Sequence, residues 1–156
     1  MTWRDRKTSA AALTALLLAS LGQAGTATEP AKRPSFDDVK ARTTEFIGWS
    51  NTIRLTPDQE KTKRQTLGSI PAPCCKEYPI ATCCCPCNLA KTVWGLANYA
   101  IARLGYDAAQ TRALTLEWLQ ATNPAGYSGD SCQRGGCPKR FFANGCGGMK
   151  EHAVVF

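Results

Sequence analysis

The chain is poor in the groups that most enzymes rely on. It holds one histidine, His152, and no cluster of histidine with aspartate or glutamate. A Ser-His-Asp triad needs an imidazole placed among partners, so a lone histidine near the end of the sequence gives a hydrolase no support. His152 is expected to be solvated rather than a ligand, and sites for magnesium, calcium or non-haem iron are not expected. Haem attachment requires C-x-x-C-H, and the residue after Cys84-Cys85-Pro86-Cys87 is Asn88, which excludes it. No catalytic residue and no organic cofactor site is assigned.

Other absences narrow the class further. No apolar run reaches the roughly 20 residues needed to cross a bilayer; Ala10–Leu21 is the longest candidate. There is no internal repeat and no convincing strand alternation. The formal charge is +7, but it is dispersed, and its densest run, Lys61-Lys63-Arg64, lies beside Glu60. Without a basic stripe interleaved with aromatics, nucleic acid is not an expected partner.

The first residues read as an address. Arg4, Arg6 and Lys7 precede the Ala10–Leu21 apolar stretch, and small residues follow at Gly22, Ala24, Gly25 and Ala27. This is the layout of a signal peptide over residues 1–27, with cleavage near 24–27. The expectation is therefore a periplasmic or secreted protein with no stable membrane span after cleavage. Arg4-Asp5-Arg6 is not a twin-arginine pair, so export of an unfolded chain is expected. Cut after Ala27, the chain keeps 129 residues and a formal charge of +5, enough for one small domain. Residues 28–34 read as a polar, proline-bearing linker, and 35–156 as a single cysteine-rich domain.

That domain is expected to be mainly α, with about four helices joined by irregular cysteine-rich loops. Ser35 begins the first helical pattern, with Asp37 and Asp38 in the first turn and Phe36, Val39, Phe46, Ile47 and Ile53 at helical spacing. In TPDQEKTKRQTLG, Thr56 caps, Pro57 opens, Gln59 completes a capping box and Gly68 stops the helix. Residues 69–87 hold four prolines and cannot be regular helix. Asn88 is expected to cap the clearest helix, whose apolar face carries Leu89, Val93, Leu96, Ala97, Ala100, Ile101 and Leu104 before Gly105 ends it. Asp107 caps a fourth helix, with Leu114, Leu116, Trp118 and Leu119 as core candidates and Asn123-Pro124 as the stop. Trp94, Tyr99 and Trp118 are expected in core or rim. Seven glycines between Gly126 and Gly148 mark a long loop.

What is abundant is sulfur. All nine cysteines fall between Cys74 and Cys146: Cys74 and Cys75, then Cys83, Cys84, Cys85 and Cys87, then Cys132, Cys137 and Cys146. Neighbouring α-carbons are about 3.8 Å apart, whereas a disulfide wants about 4.4–6.8 Å. Cys83, Cys84 and Cys85 should therefore not pair with one another. Their partners must be distant cysteines or a shared ion. A disulfide scaffold suits a small exported domain, yet an odd number of cysteines leaves one thiol over. A metal site suits the C-x-x-C pair Cys84/Cys87 and the C-x4-C pair Cys132/Cys137; clustered thiolates favour Zn(II) or Cu(I). A thiol–disulfide oxidoreductase suits a C-x-P-C ahead of a helix, where the helix N-terminus stabilises a thiolate; the surrounding β-α-β pattern of such enzymes is missing. An iron–sulfur cluster has enough thiols but ranks last after unfolded export.

Pro73-Cys74-Cys75, then Cys84-Cys85-Pro86-Cys87, the helix from Asn88, and GYDAAQTRALTLEWL (105–119) together resemble small exported bacterial proteins of the PCYCGC-motif type. A similar order of C-x-x-C, helix, glycine and helix occurs in the thiol-reducing subunit of cytochrome c maturation. The likeness covers about half of the mature chain and leaves Cys132, Cys137 and Cys146 without a counterpart. It implies an exported, helical protein that works through its cysteines, and it names no metal. The favoured expectation is a soft-metal protein, binding Cu(I) or Zn for sequestration or transfer without turnover. Cys84 and Cys87 lead the ligand candidates, joined by Cys74, Cys75, Cys83, Cys85, Cys132, Cys137 and Cys146. The expected partners are the ion and another exported metal-handling or redox protein.

Overall fold

A computed structural model describes residues 30–83 and 85–156. The signal-peptide reading of residues 1–27 and the placement of Cys84 lie outside the described residues. From Ala31 onward the chain forms one compact unit that is mainly helical. Its main elements are α1 (Val39–Thr52), α2 (Pro57–Gly68), β1 (Pro71–Ala72), β2 (Cys75–Pro79), α3 (Asn88–Arg103) and α4 (Ala108–Thr122).

Local chemistry sets most helix ends. Asp38 accepts from the Ala41 N–H and starts α1, so Asp37 and Asp38 precede the helix instead of filling its first turn. Thr56 and Gln59 form the reciprocal box of α2, with Pro57 at its first position. Asp107 and Gln110 form a second box on α4. Each removes two backbone donors from the unpaired set at a helix start. Gly105, at φ 68°, turns the chain out of α3 at little steric cost.

The core lies where α1 crosses α3. Leu89, Val93, Leu96, Ala97, Ala100 and Ile101 of α3 are all buried, following the spacing of one helix face. Gly95 permits the close approach: a Cβ there would stand 1.8 Å from the Phe46 carbonyl oxygen. Trp118 of α4 is fully buried against Phe46 and Phe36, and its indole N–H donates to Thr92 Oγ1 at 2.9 Å. Trp49 and Tyr99 stack in parallel, with ring centroids 3.9 Å apart. Burying each large apolar side chain contributes about 1.5–3 kcal/mol. Leu116, expected in the core, is 38 % exposed instead.

Two features depart from the sequence reading. Residues 71–79 contain a two-stranded antiparallel sheet, irregular between Pro71 and Ala72, with Pro71 opposite Pro79 and Ala72 opposite Cys75. Its prolines sit at strand ends, where a missing N–H costs least. The N-cap of α3 is Cys87, not Asn88. Asn88 lies one residue inside the helix, fully buried.

Candidate thiolate site

Asn88 is the hinge of the site. Its side-chain amide donates to the carbonyls of Gly147 at 2.9 Å and Lys150 at 3.0 Å. The backbone N–H groups of Asn88 and Leu89 donate to the carbonyls of Gly148 and Cys146 at 2.9 and 3.1 Å. Two of the free donors at the start of α3 are thus satisfied by the glycine-rich loop. Gly147 and Gly148 take φ values of 70° and 86°, and the turn between Cys146 and Met149 depends on them. Lys91 adds an outer clasp, reaching the Met149 carbonyl and the Glu151 carboxylate, both at 3.0 Å. That pairing comes first among the causes holding the Glu151 carboxyl below its ordinary pKa.

A second set of backbone bonds aligns the other cysteine segments. Gly129 N–H donates to Pro73 C=O at 3.1 Å, Lys76 N–H to Gly129 C=O at 2.8 Å, and Cys132 N–H to Cys74 C=O at 3.0 Å. Gly148 N–H donates to Cys137 C=O at 2.7 Å. These bonds draw three cysteine segments, far apart in sequence, to the start of α3.

The sulfurs of these segments consequently lie in one neighbourhood, where Cys146 Sγ donates to the Cys137 carbonyl at 3.4 Å. Cys74 Sγ lies 4.0 Å from Cys83 Sγ. Cys87 Sγ interacts with the sulfurs of Cys74, Cys83 and Cys146. Cys137 interacts in turn with Cys146 and Cys132, and feels the charge of Cys85. Three of them are dry: Cys74 is 3 % exposed, Cys87 1 % and Cys146 0 %. Cys83, Cys85, Cys132 and Cys137 are half-buried. Cys75 is buried in β2 opposite Ala72. His152 is exposed. Among the described residues, no three cysteine, histidine or acidic side chains already surround a common point as a finished metal cage.

Electrostatics favour protons on Cys74, Cys87 and Cys137. The pKa of Cys74 is raised, first by its hydrogen bond to Cys83, then by Cys87 and by burial. That of Cys87 is raised chiefly by its hydrogen bond to Cys146. This direction is opposite to the one its place at a helix N-terminus would give. Neighbouring sulfurs and the dry surroundings outweigh the helix dipole. Cys137 is raised mainly by burial. Tyr127, whose hydroxyl lies 3.0 Å from Thr122 Oγ1, borders the same group. Burial raises its phenol pKa first, and the charges of Cys87, Cys146 and Cys74 add to the effect. Neither Asn88 nor Tyr127 stood out in the sequence as part of a site. The sequence signal for Asn88 was its place directly after the C-x-x-C.

Cys74, Cys75, Cys87, Cys132, Cys137 and Cys146 are free thiols. Buried, converging thiols of this kind can lose protons to a soft cation or electrons to an oxidant. No protein-family model matches the chain, and neither does any curated protein or solved structure.

Proposed function

We propose that this protein binds a soft transition metal ion, Cu(I) or Zn(II), through cysteine thiolates at the head of α3, and sequesters or transfers it without turnover. In this reading the chain is exported by its first residues and meets the ion outside the cytoplasm. Another exported metal-handling or redox protein supplies or receives the ion. One observation carries the reading: backbone bonds hold cysteine segments far apart in sequence around the buried Cys74, Cys87 and Cys146, with Cys74 Sγ 4.0 Å from Cys83 Sγ. A disulfide uses one neighbour, whereas an ion uses several.

Distances favour the same side. Sulfurs sharing a tetrahedral zinc with bonds of about 2.3 Å stand about 3.8 Å apart. The Cys74–Cys83 separation of 4.0 Å needs a few tenths of an ångström to match. A disulfide needs the two sulfurs at about 2.05 Å, a closure of roughly 2 Å. The same contact sustains the second reading, a disulfide-stapled scaffold or C-x-x-C oxidoreductase, because Cys74 and Cys83 are the sulfurs an oxidant would join with least rearrangement.

The test is elemental analysis together with thiol counting on full-length protein purified without chelator. A stoichiometric ion, with most cysteines titrating as thiols once it is removed, supports the proposal. Protein free of ions, with its cysteines locked in disulfides, contradicts it and favours the scaffold.

A further inference from the structure

We infer that the cleft between the start of α1, the end of α4 and the turn Phe141–Ala143 binds a small amphiphilic anion, a free medium-chain carboxylate. Its alkyl chain lies on the aromatic wall and its carboxylate meets Lys40. This site is independent of the thiolate reading.

The cleft is a cavity of about 260 Å³. Val39 of α1, Ala121 of α4, Phe141, Phe142 and Phe156 give it apolar walls. Its floor is preformed. Phe141 is 3 % exposed, and its ring presses on Gly147, where a Cβ would come within 2.5 Å of it. Phe142, the next residue, is 61 % exposed, more than any other large apolar side chain among the described residues. It leaves an aromatic face in water at the mouth of an apolar cavity, and an alkyl chain laid against it releases that water.

Two polar side chains reach the cleft, and they differ in what they have left to offer. Thr122 Oγ1 is engaged: it donates to the Leu119 carbonyl at 2.9 Å and lies 3.0 Å from the Tyr127 hydroxyl. Lys40 is exposed and forms no ion pair among the described residues. Its Nζ stands 5.5 Å from the centroid of the Phe156 ring, a cation–π contact that holds the ammonium at the rim. A second cation, Arg140, lies over the Phe142 ring at 5.7 Å. No acidic side chain lines the cleft among the described residues. Apolar walls with cations at the edge and no counter-charge fit a ligand that is apolar along its length and anionic at one end. The volume is below the roughly 300–1,000 Å³ of sites for drug-sized ligands, which suits a short single chain and excludes a diacyl lipid. Binding is non-covalent, and the carboxylate stays ionised beside the ammonium.

Octanoate is the probe, titrated into reduced, full-length protein by isothermal calorimetry, with octanol and octyltrimethylammonium as its neutral and cationic counterparts. One octanoate per chain is expected, with octanol weaker and the cation weaker still. Lys40→Gln should weaken octanoate about fivefold, the upper end for an exposed ion pair, and leave octanol unchanged. Phe142→Ser should weaken octanoate and octanol alike. Both side chains are exposed, so neither substitution disturbs the core, and far-UV circular dichroism verifies the fold. No octanoate bound at millimolar concentration, several octanoates per chain, or equal affinity in Lys40→Gln and wild type overturns the inference. Binding to phosphatidylglycerol vesicles without binding of octanoate overturns it too, and makes the cleft a contact for a lipid surface.

Discussion

Replacing Asn88 by alanine tests whether the thiol-bearing loop is held in place by the helix that it caps. The substitution removes two buried hydrogen bonds, to Gly147 C=O at 2.9 Å and Lys150 C=O at 3.0 Å. Each contributes about 1 kcal/mol net. Neither carbonyl is orphaned, since Gly147 C=O still accepts from Val155 N–H at 2.9 Å and Lys150 C=O from Ala153 N–H at 3.1 Å. Among the described residues the Asn88 Oδ1 has no hydrogen-bond partner, so its removal returns some free energy, roughly offset by the small cavity left behind. The expected loss is about 2 kcal/mol, roughly a 30-fold fall in the folding constant. Urea unfolding followed by tryptophan fluorescence measures it, since Trp49, Trp94 and Trp118 sit in or beside the core. The buried thiols of Cys87 and Cys146 should also react faster with a thiol reagent. Asn88→Asp should be worse at neutral pH, because it aims a carboxylate at two carbonyl oxygens. Burial raises the folded-state pKa of that new carboxyl above its unfolded value of about 3.9. The folded state then binds the proton more tightly, so part of the deficit relative to wild type is recovered on acidification. An Asn88→Ala protein within 0.5 kcal/mol of wild type and equally slow in thiol reaction would refute the clamp.

Three further outcomes are expected. Gly95→Ala drives a methyl group to 1.8 Å from the Phe46 carbonyl, forcing α1 and α3 apart; a loss of about 3 kcal/mol or more in urea unfolding is expected, and a wild-type midpoint would contradict the packing. Arg33→Ala breaks an ion pair with Glu117 whose side chains are about half exposed, so stability should change by less than about 0.5 kcal/mol; a larger loss would mean that Arg33 carries packing not seen in the pair. Zinc affinity should rise with pH and continue to rise beyond about pH 8.5, where an ordinary thiol would level off. The raised pKa values of Cys74, Cys87 and Cys137 keep those thiols protonated, so each must release a proton on binding, and a plateau below that pH in a competition titration would contradict those shifts.

Local signals in the sequence carried the helices well. The Thr56 and Asp107 caps, the apolar face of α3 and the Gly105 stop are all encoded within a few residues of where they act. The departures have a common origin in distant partners. Asn88 resembles an N-cap to any local rule, yet its side chain is claimed by Gly147 and Lys150, 59 and 62 residues away. Residues 71–79, rich in proline, show no strand alternation; they pair in part because Lys76 can donate to Gly129 across the sheet edge. Leu116 fits a helical spacing but falls on the face of α4 turned toward solvent. The crowding of cysteines was legible, and so was the bar on pairing adjacent ones. Which sulfurs meet was not, because Cys146 and Cys132 are brought in by backbone bonds to Leu89 and Cys74 that no spacing rule encodes.

X-ray absorption at the metal edge of the loaded, full-length protein probes the central claim most directly. Thiolate binding at the head of α3 predicts a first shell of sulfur only, at about 2.3 Å for zinc. A first shell of nitrogen and oxygen, or protein that retains no ion when all its cysteines are reduced, would contradict it.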